Sequence, residues 1–209
     1  MSPGRRLTWR AAACALAILA LAACGEDTPR LAPLGKDAVI LAFGDSLTYG
    51  TGARPEESYP AVLARLISRP VIRSGVPGEV TAAGLRRLER ELARTHPDLL
   101  ILCHGGNDFL RRTGGDGAAA NIRAMIETAR AAGAQVVLIG VPRPGLFLSS
   151  AASLYEEIAT ELAIPYDGEI LADILDVPRL KSDGFHPNAS GYRLMAEAVA
   201  HLLREAGAI

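Results

Sequence analysis

Three observations predict an α/β fold, a three-layer αβα sandwich around a central parallel sheet. Four short apolar runs lack polar alternation, stretches of helical apolar period lie between them, and short polar segments rich in Gly and Asp follow the runs. Runs without alternation read as strands covered on both faces, and strand-helix alternation of this length implies right-handed βαβ units.

In chain order, Arg5, Arg6 and Arg10 precede an uncharged stretch, residues 11–23, rich in Ala and Leu. That is the pattern of an export signal. As a helix the stretch spans roughly 20 Å, less than the hydrocarbon thickness of a bilayer, which argues against a permanent membrane span. It ends in Leu21, Ala22, Ala23 and Cys24, which resembles a bacterial lipobox. The resemblance implies a signal peptide over 1–23, lipidation of Cys24 and a membrane partner reached through that anchor. Gly25 stands where an aspartate would signal inner-membrane retention, so a lipoprotein on the periplasmic side, at the outer membrane, is the expected destination. Residues 24–36 hold turn formers and no apolar period, and read as a flexible tether. Residues 37–209 form one domain with a sizeable core, undivided by any composition shift or repeat.

Within that domain the predicted strands are Ala38 to Phe43, Val71 and Ile72 with their flanks, Leu99 to Cys103, and Val136 to Val141. Leu85, Leu88 and Leu92 mark one helix; Ile122, Met125, Ile126 and Ala129 mark another. The last helix carries Tyr192, Met195, Ala196, Val199 and Leu203 on one face, with Asn188 as N-cap after Pro187.

Charge and cysteine usage narrow the class. The chain has 22 basic and 23 acidic side chains; removing residues 1–23 takes away three arginines and no acid, leaving 19 against 23 and a formal charge of −4. Nothing there favours nucleic acid. Of the cysteines, Cys14 lies in the signal, Cys24 is the lipidation candidate, and Cys103 closes an apolar run, where it reads as a small core residue.

The polar segments carry the chemistry. Gly44, Asp45 and Ser46 follow the first strand, Gly75 to Gly78 the second, and Gly105 to Asp108 the third, so all three emerge at the carboxyl edge of one parallel sheet. Open α/β proteins place their sites at that edge. Asp183 and His186 lie on a loop before the final helix, free to lean over it. Ser46 is a candidate nucleophile, needing a base to take its proton; it or Asp45 would serve equally as a helix cap. His186 is the natural base, with Asp183 three residues earlier to hold its other ring nitrogen, although Asp-Gly and His-Pro are also ordinary turn material. Backbone N–H groups of Ser46 and Gly78 and the side-chain amide of Asn107 are candidate oxyanion donors. His104, beside Gly105 at a strand end, is a candidate second-layer or substrate contact.

Four blocks in this order, Gly44-Asp45-Ser46-Leu47, Gly78, Gly106-Asn107-Asp108 and Asp183 with His186, resemble the SGNH (GDSL-type) hydrolases, in particular the bacterial arylesterase, thioesterase I and lysophospholipase L1 group. Glu57 to Pro60 and the run Asp183 to Asn188 resemble the same group. The resemblance covers Ala38 to Leu203 and implies a flavodoxin-like sandwich without metal or organic cofactor. It makes Ser46 the nucleophile, His186 base then acid, Asp183 its orienting partner, and Ser46, Gly78 and Asn107 the oxyanion hole. The second block departs from the family pattern: Arg73 stands for an Asn, Pro77 for a Ser and Val80 for a Thr. Pro77 leaves the Gly78 N–H available but constrains the backbone before it.

The substrate expected is a small carboxylic ester with a short or medium acyl or an aryl group, a thioester, or a lysophospholipid. Phe109, Leu110, Leu146, Phe147 and Leu148 lie in loops near the active edge and are candidates to line an acyl pocket; core packing explains them equally well. Arg143, Arg111 and Arg112 are candidates to meet an anionic substrate group or simply to be solvated. Within the same family, a carbohydrate O-deacetylase is the alternative. From other classes come a metal-dependent phosphoesterase, disfavoured because Asp45, His104, Asn107, Asp108 and His186 do not show a metal-ligand spacing, and a non-catalytic lipid- or glycan-binding lipoprotein, disfavoured because every catalytic position is filled.

Overall fold

The computed structural model describes residues 28–111, 115–143, 145 and 150–209. The expected signal peptide, the lipidation candidate Cys24, and Arg112, Leu146, Phe147 and Leu148 lie outside the described residues. No helix among the described residues is long and apolar enough to cross a membrane.

Five parallel strands form the sheet: β1 (Ile40–Gly44), β2 (Val71–Gly75), β3 (Leu99–Cys103), β4 (Gln135–Ile139) and β5 (Tyr166–Asp167), in the order β2-β1-β3-β4-β5. β1 and β3 are buried along their whole length, as unalternating apolar runs require, whereas the edge strand β2 is only partly covered and carries Arg73 and Ser74. Cys103 is fully buried, and burial pushes its thiol well above the ordinary range, which fits a core residue.

The helices are α1 (Ser46–Tyr49), α2 (Tyr59–Ile67), α3 (Thr81–Thr95), α4 (Gly106–Arg111), α5 (Gly115–Ala131), α6 (Ser153–Leu162), α7 (Ile170–Asp176) and α8 (Ala189–Glu205). Those of one layer, α3, α5 and α6, pack on one another, as do α2, α7 and α8 in the other. The stripes at 122, 125, 126 and 129 and at 192, 195, 196, 199 and 203 are buried, and Asn188 caps α8 by accepting from the N–H groups of Ser190 and Gly191.

Part of the expected tether is docked. Leu31 and Leu34 donate backbone hydrogen bonds of 2.8 Å to Ala206 and Ala208, and the Arg69 guanidinium donates to the carbonyls of Leu34 and Gly35. The apolar side chains of Leu31 and Leu34 lie against the core, so the ordered fold begins before residue 37.

The register brings the motifs to one level: Gly44 stands opposite Gly75 on one side and Cys103 on the other. This closeness needs glycine at 44, where a Cβ would run into the Cys103 carbonyl and the Thr48 hydroxyl.

Candidate active site

The nucleophile candidate is placed by its neighbour. Asp45 is the N-cap of α1, its carboxylate accepting from the Leu47 N–H at 3.1 Å, so Ser46 becomes the first helical residue and faces the cleft.

The base is placed by its own loop. An antiparallel bridge between Lys181 and Pro187 closes residues 181–187, with the Ser182 N–H donating to the His186 carbonyl at 2.9 Å. Inside it Asp183 Oδ1 accepts from the backbone N–H groups of Phe185 (2.7 Å) and His186 (2.9 Å). The same carboxylate meets His186 Nδ1 at 2.8 Å, and His186 Nε2 lies 2.9 Å from Ser46 Oγ. An ionised carboxylate only accepts, so the ring proton sits on Nδ1 and Nε2 is left to accept from the serine hydroxyl. Partial burial works to raise the Asp183 carboxyl, but the His186 ring, the Phe185 N–H and the His186 charge outweigh it and hold it below its ordinary value. This chain of three groups can take a proton from Ser46 and return it to a leaving group.

Across the cleft stand the oxyanion candidates. Gly78 adopts φ +77°, a left-handed conformation suited to glycine. The N–H groups of Ser46 and Gly78 have no acceptor among the described residues. Asn107, in the first turn of α4, donates its amide to Asp45 Oδ2 at 3.2 Å and to the Glu79 carbonyl at 3.1 Å. Both bonds orient the amide, and an incoming oxyanion would share or take over one of them. Asp45 is buried, and that burial raises its carboxyl above the ordinary value despite opposing effects from His104, the Leu47 N–H, His186 and Asn107.

Ser46, His186, Gly78 and Asn107 together line one cavity of about 280 Å³, to which Asp45 and Thr51 add polar groups and Leu47, Leu110, Val141, Pro142, Leu175 and Phe185 an apolar wall. Larger hollows, about 460 Å³ beside β5 and α8 and about 430 Å³ between α2 and α8, contain no such nucleophile-base pair.

Of the two readings of His104 the structure favours the second-layer one, and Phe109 of the acyl-pocket candidates lies off the cavity. His104 is fully buried beneath the site, its Nε2 3.2 Å from Glu79 Oε2, so it supports the loop that carries Gly78 and has no face on the cavity. Phe109 turns inward, edge-on to Tyr155 with ring centroids 6.4 Å apart, because α4 presents Leu110 to the cavity instead. Arg143 stacks over the Phe109 ring at 5.2 Å.

Glu79 and Arg87 were not singled out by sequence. Their carboxylate and guanidinium pair at 2.7 Å, nearly buried, while Arg87 also donates to the Ser74 hydroxyl and the Gly44 carbonyl and stacks 4.0 Å above Phe43. Burial tends to raise the Glu79 carboxyl, but His104 and Arg87 more than reverse this and hold it at about 2. Glu79 has a sequence signal, since it directly follows Gly78 of the second motif; Arg87 has none. Asp108 closes the third motif against α3, accepting from the Thr81 N–H and hydroxyl at 2.9 and 2.7 Å. Among the described residues no three His, Cys, Asp or Glu side chains are grouped to hold a metal.

Comparison with known proteins places the chain in a family and agrees with the fold. Residues 42–194 match the model of the GDSL-like Lipase/Acylhydrolase family. The chain is 28% identical over 174 residues to the arylesterase of Vibrio mimicus, covering 78% of this chain and 87% of that protein. It is 26% identical over 172 residues to esterase TesA of Pseudomonas aeruginosa, covering 77% and 85%. Among solved structures, AlinE4, an SGNH-hydrolase family esterase, superposes with a TM-score of 0.64 at 31% identity, over 83% of this chain and 98% of that one. The chain belongs to the GDSL-like lipase/acylhydrolase family and is, as such, a carboxylic ester hydrolase.

Proposed function

We propose that the protein hydrolyses short- to medium-acyl or aryl esters, with thioesters and lysophospholipids as further substrates, through an acyl-enzyme on Ser46. The observation that carries this reading is the unbroken chain Asp183, His186, Ser46 opening into a cavity with one apolar wall. Ser46 Oγ attacks the ester carbonyl carbon while its proton passes to His186 Nε2. The oxyanion of the tetrahedral intermediate takes hydrogen bonds from the N–H groups of Ser46 and Gly78 and from the Asn107 amide. His186 then protonates the leaving oxygen, the carbon-oxygen bond breaks and the acyl group remains on Ser46. A water molecule, deprotonated by His186, attacks the acyl carbon and releases the acid, and the proton returns to Ser46. The cavity of about 280 Å³ suits an acyl chain of modest length.

The test is hydrolysis of p-nitrophenyl acetate and butyrate by the purified wild type, Ser46→Ala and His186→Ala. Loss of about 10⁴-fold or more in kcat/KM is expected for each variant; a wild type no faster than Ser46→Ala overturns the reading. Acetylated sugars run beside a lysophospholipid separate a deacetylase from a lipid or aryl esterase. On the sequence of residues 5–25 alone, we also propose attachment to the membrane through Cys24 on the periplasmic side, at the outer membrane; an intact mass with unmodified Cys24 would count against it.

A further inference from the structure

We propose that Arg111 is a positioning residue that, by holding the Gly78 carbonyl, keeps Gly78 in the backbone conformation that presents its N–H to the oxyanion. The inference rests on the reading of Gly78 as an oxyanion donor. Glycine at φ +77° gains no rigidity from a side chain, and alternative backbone states are cheap for it. The loop around it is thinly bonded: the Val76 N–H donates to the Gly44 carbonyl and the Glu79 N–H to the Val76 carbonyl, each at 3.1 Å. Pro77 has no N–H to add. What fixes Gly78 itself is Arg111, whose Nη2 donates to its carbonyl at 2.7 Å, a short charge-assisted bond.

The origin of that guanidinium matters. Arg111 lies on α4 one turn beyond Asn107, so a single helix carries one oxyanion donor and grips the loop that carries another. The spacing of the two donors, which come from separate sequence motifs, is thereby set by one element. Below the loop Glu79 is anchored by Arg87 and His104, and its carbonyl receives the Asn107 amide. Arg111 supplies the remaining hold from the solvent side. An exposed arginine contributes little to global stability, so its removal is read in turnover.

The experiment compares wild type, Arg111→Ala and Arg111→Lys, with Ser46→Ala as blank, on p-nitrophenyl acetate and on the anionic mono-p-nitrophenyl ester of succinate. Arg111→Ala is expected to lower kcat about tenfold or more on both esters, with KM changing less than about threefold and the melting temperature unmoved. Labelling of Ser46 by a fluorophosphonate slows in parallel, and Arg111→Lys, which keeps a cationic donor, recovers part of the loss. A kcat for Arg111→Ala within twofold of wild type overturns the proposal, as does a loss confined to KM for the anionic ester, which would make Arg111 a substrate contact. A wild type indistinguishable from Ser46→Ala removes the hydrolase reading beneath it.

Discussion

Asp45 Oδ2 accepts the side-chain amide of Asn107 at 3.2 Å, which ties the residue before the proposed nucleophile to a proposed oxyanion donor 62 positions away. The carboxylate is buried at a cost, since burial raises its pKa. For an acid so shifted, the contribution to stability is fully present below its unfolded pKa and is lost as pH rises through the folded value. At neutral pH the charge therefore opposes folding. Asp45→Asn retains an equally good N-cap acceptor for Leu47 but turns an amide donor toward Asn107. The expected outcome is a melting temperature equal to or above that of wild type with kcat lowered about 10- to 100-fold. Thermal unfolding and steady-state kinetics on one preparation check both halves.

Asp183→Asn tests whether the acid sets the histidine tautomer. The new side chain keeps an oxygen for the Phe185 and His186 N–H groups, so the loop stays closed, but it offers a donor to His186 Nδ1. The ring then carries its proton on Nε2 and loses the acceptor for Ser46. A fall of about 10² to 10⁴ in kcat is expected, with stability within about 1 kcal/mol. A variant retaining more than a tenth of wild-type kcat would show that Asp183 only shapes the loop.

The β-α rhythm and the placement of three motifs at one sheet edge were legible because they rest on long, regular patterns. The Gly44, Gly75 and Cys103 register is the direct consequence of three equal strands. Tyr166 and Asp167 escaped because a two-residue strand has no period to detect. Leu31 and Leu34 stand among turn formers with no apolar period, and the acceptors for their N–H groups come from the distant chain end. Phe109 and Leu110 are equally apolar, and which one faces the cavity depends on the rotation of a six-residue helix too short to show a stripe. The Glu79-Arg87-His104 network is hidden in the sequence because it joins separate elements: Glu79 and His104 each stand beside a motif glycine, but Arg87, on the polar face of α3, has the look of a solvated side chain.

Gly78→Ala separates backbone strain from crowding. A Cβ there would meet only Arg111 Nη2, at an ordinary 3.5 Å, so sterics permit it. The cost is conformational, about 1–2 kcal/mol for a non-glycine residue held in the left-handed region. Relief of that strain moves the loop, so kcat is expected to fall at least about tenfold while urea denaturation reports only a modest loss. Unchanged kcat in a folded Gly78→Ala protein would remove Gly78 from the oxyanion hole.

Glu79→Gln leaves the nearly buried Arg87 guanidinium without its counter-charge, which typically costs about 3–5 kcal/mol. The pH dependence of that cost follows from the depressed carboxyl. In wild type the pair contributes fully above the unfolded glutamate pKa, and the contribution is lost as pH falls toward the folded value of about 2. The variant has no such titration. Urea midpoints measured at pH 7, 4.5 and 3 should therefore show a wide gap between wild type and Glu79→Gln at the first two values and a narrower one at the third. A gap that stays constant would mean that the loss comes from repacking around Ser74 and Phe43, with the charge on Glu79 contributing little.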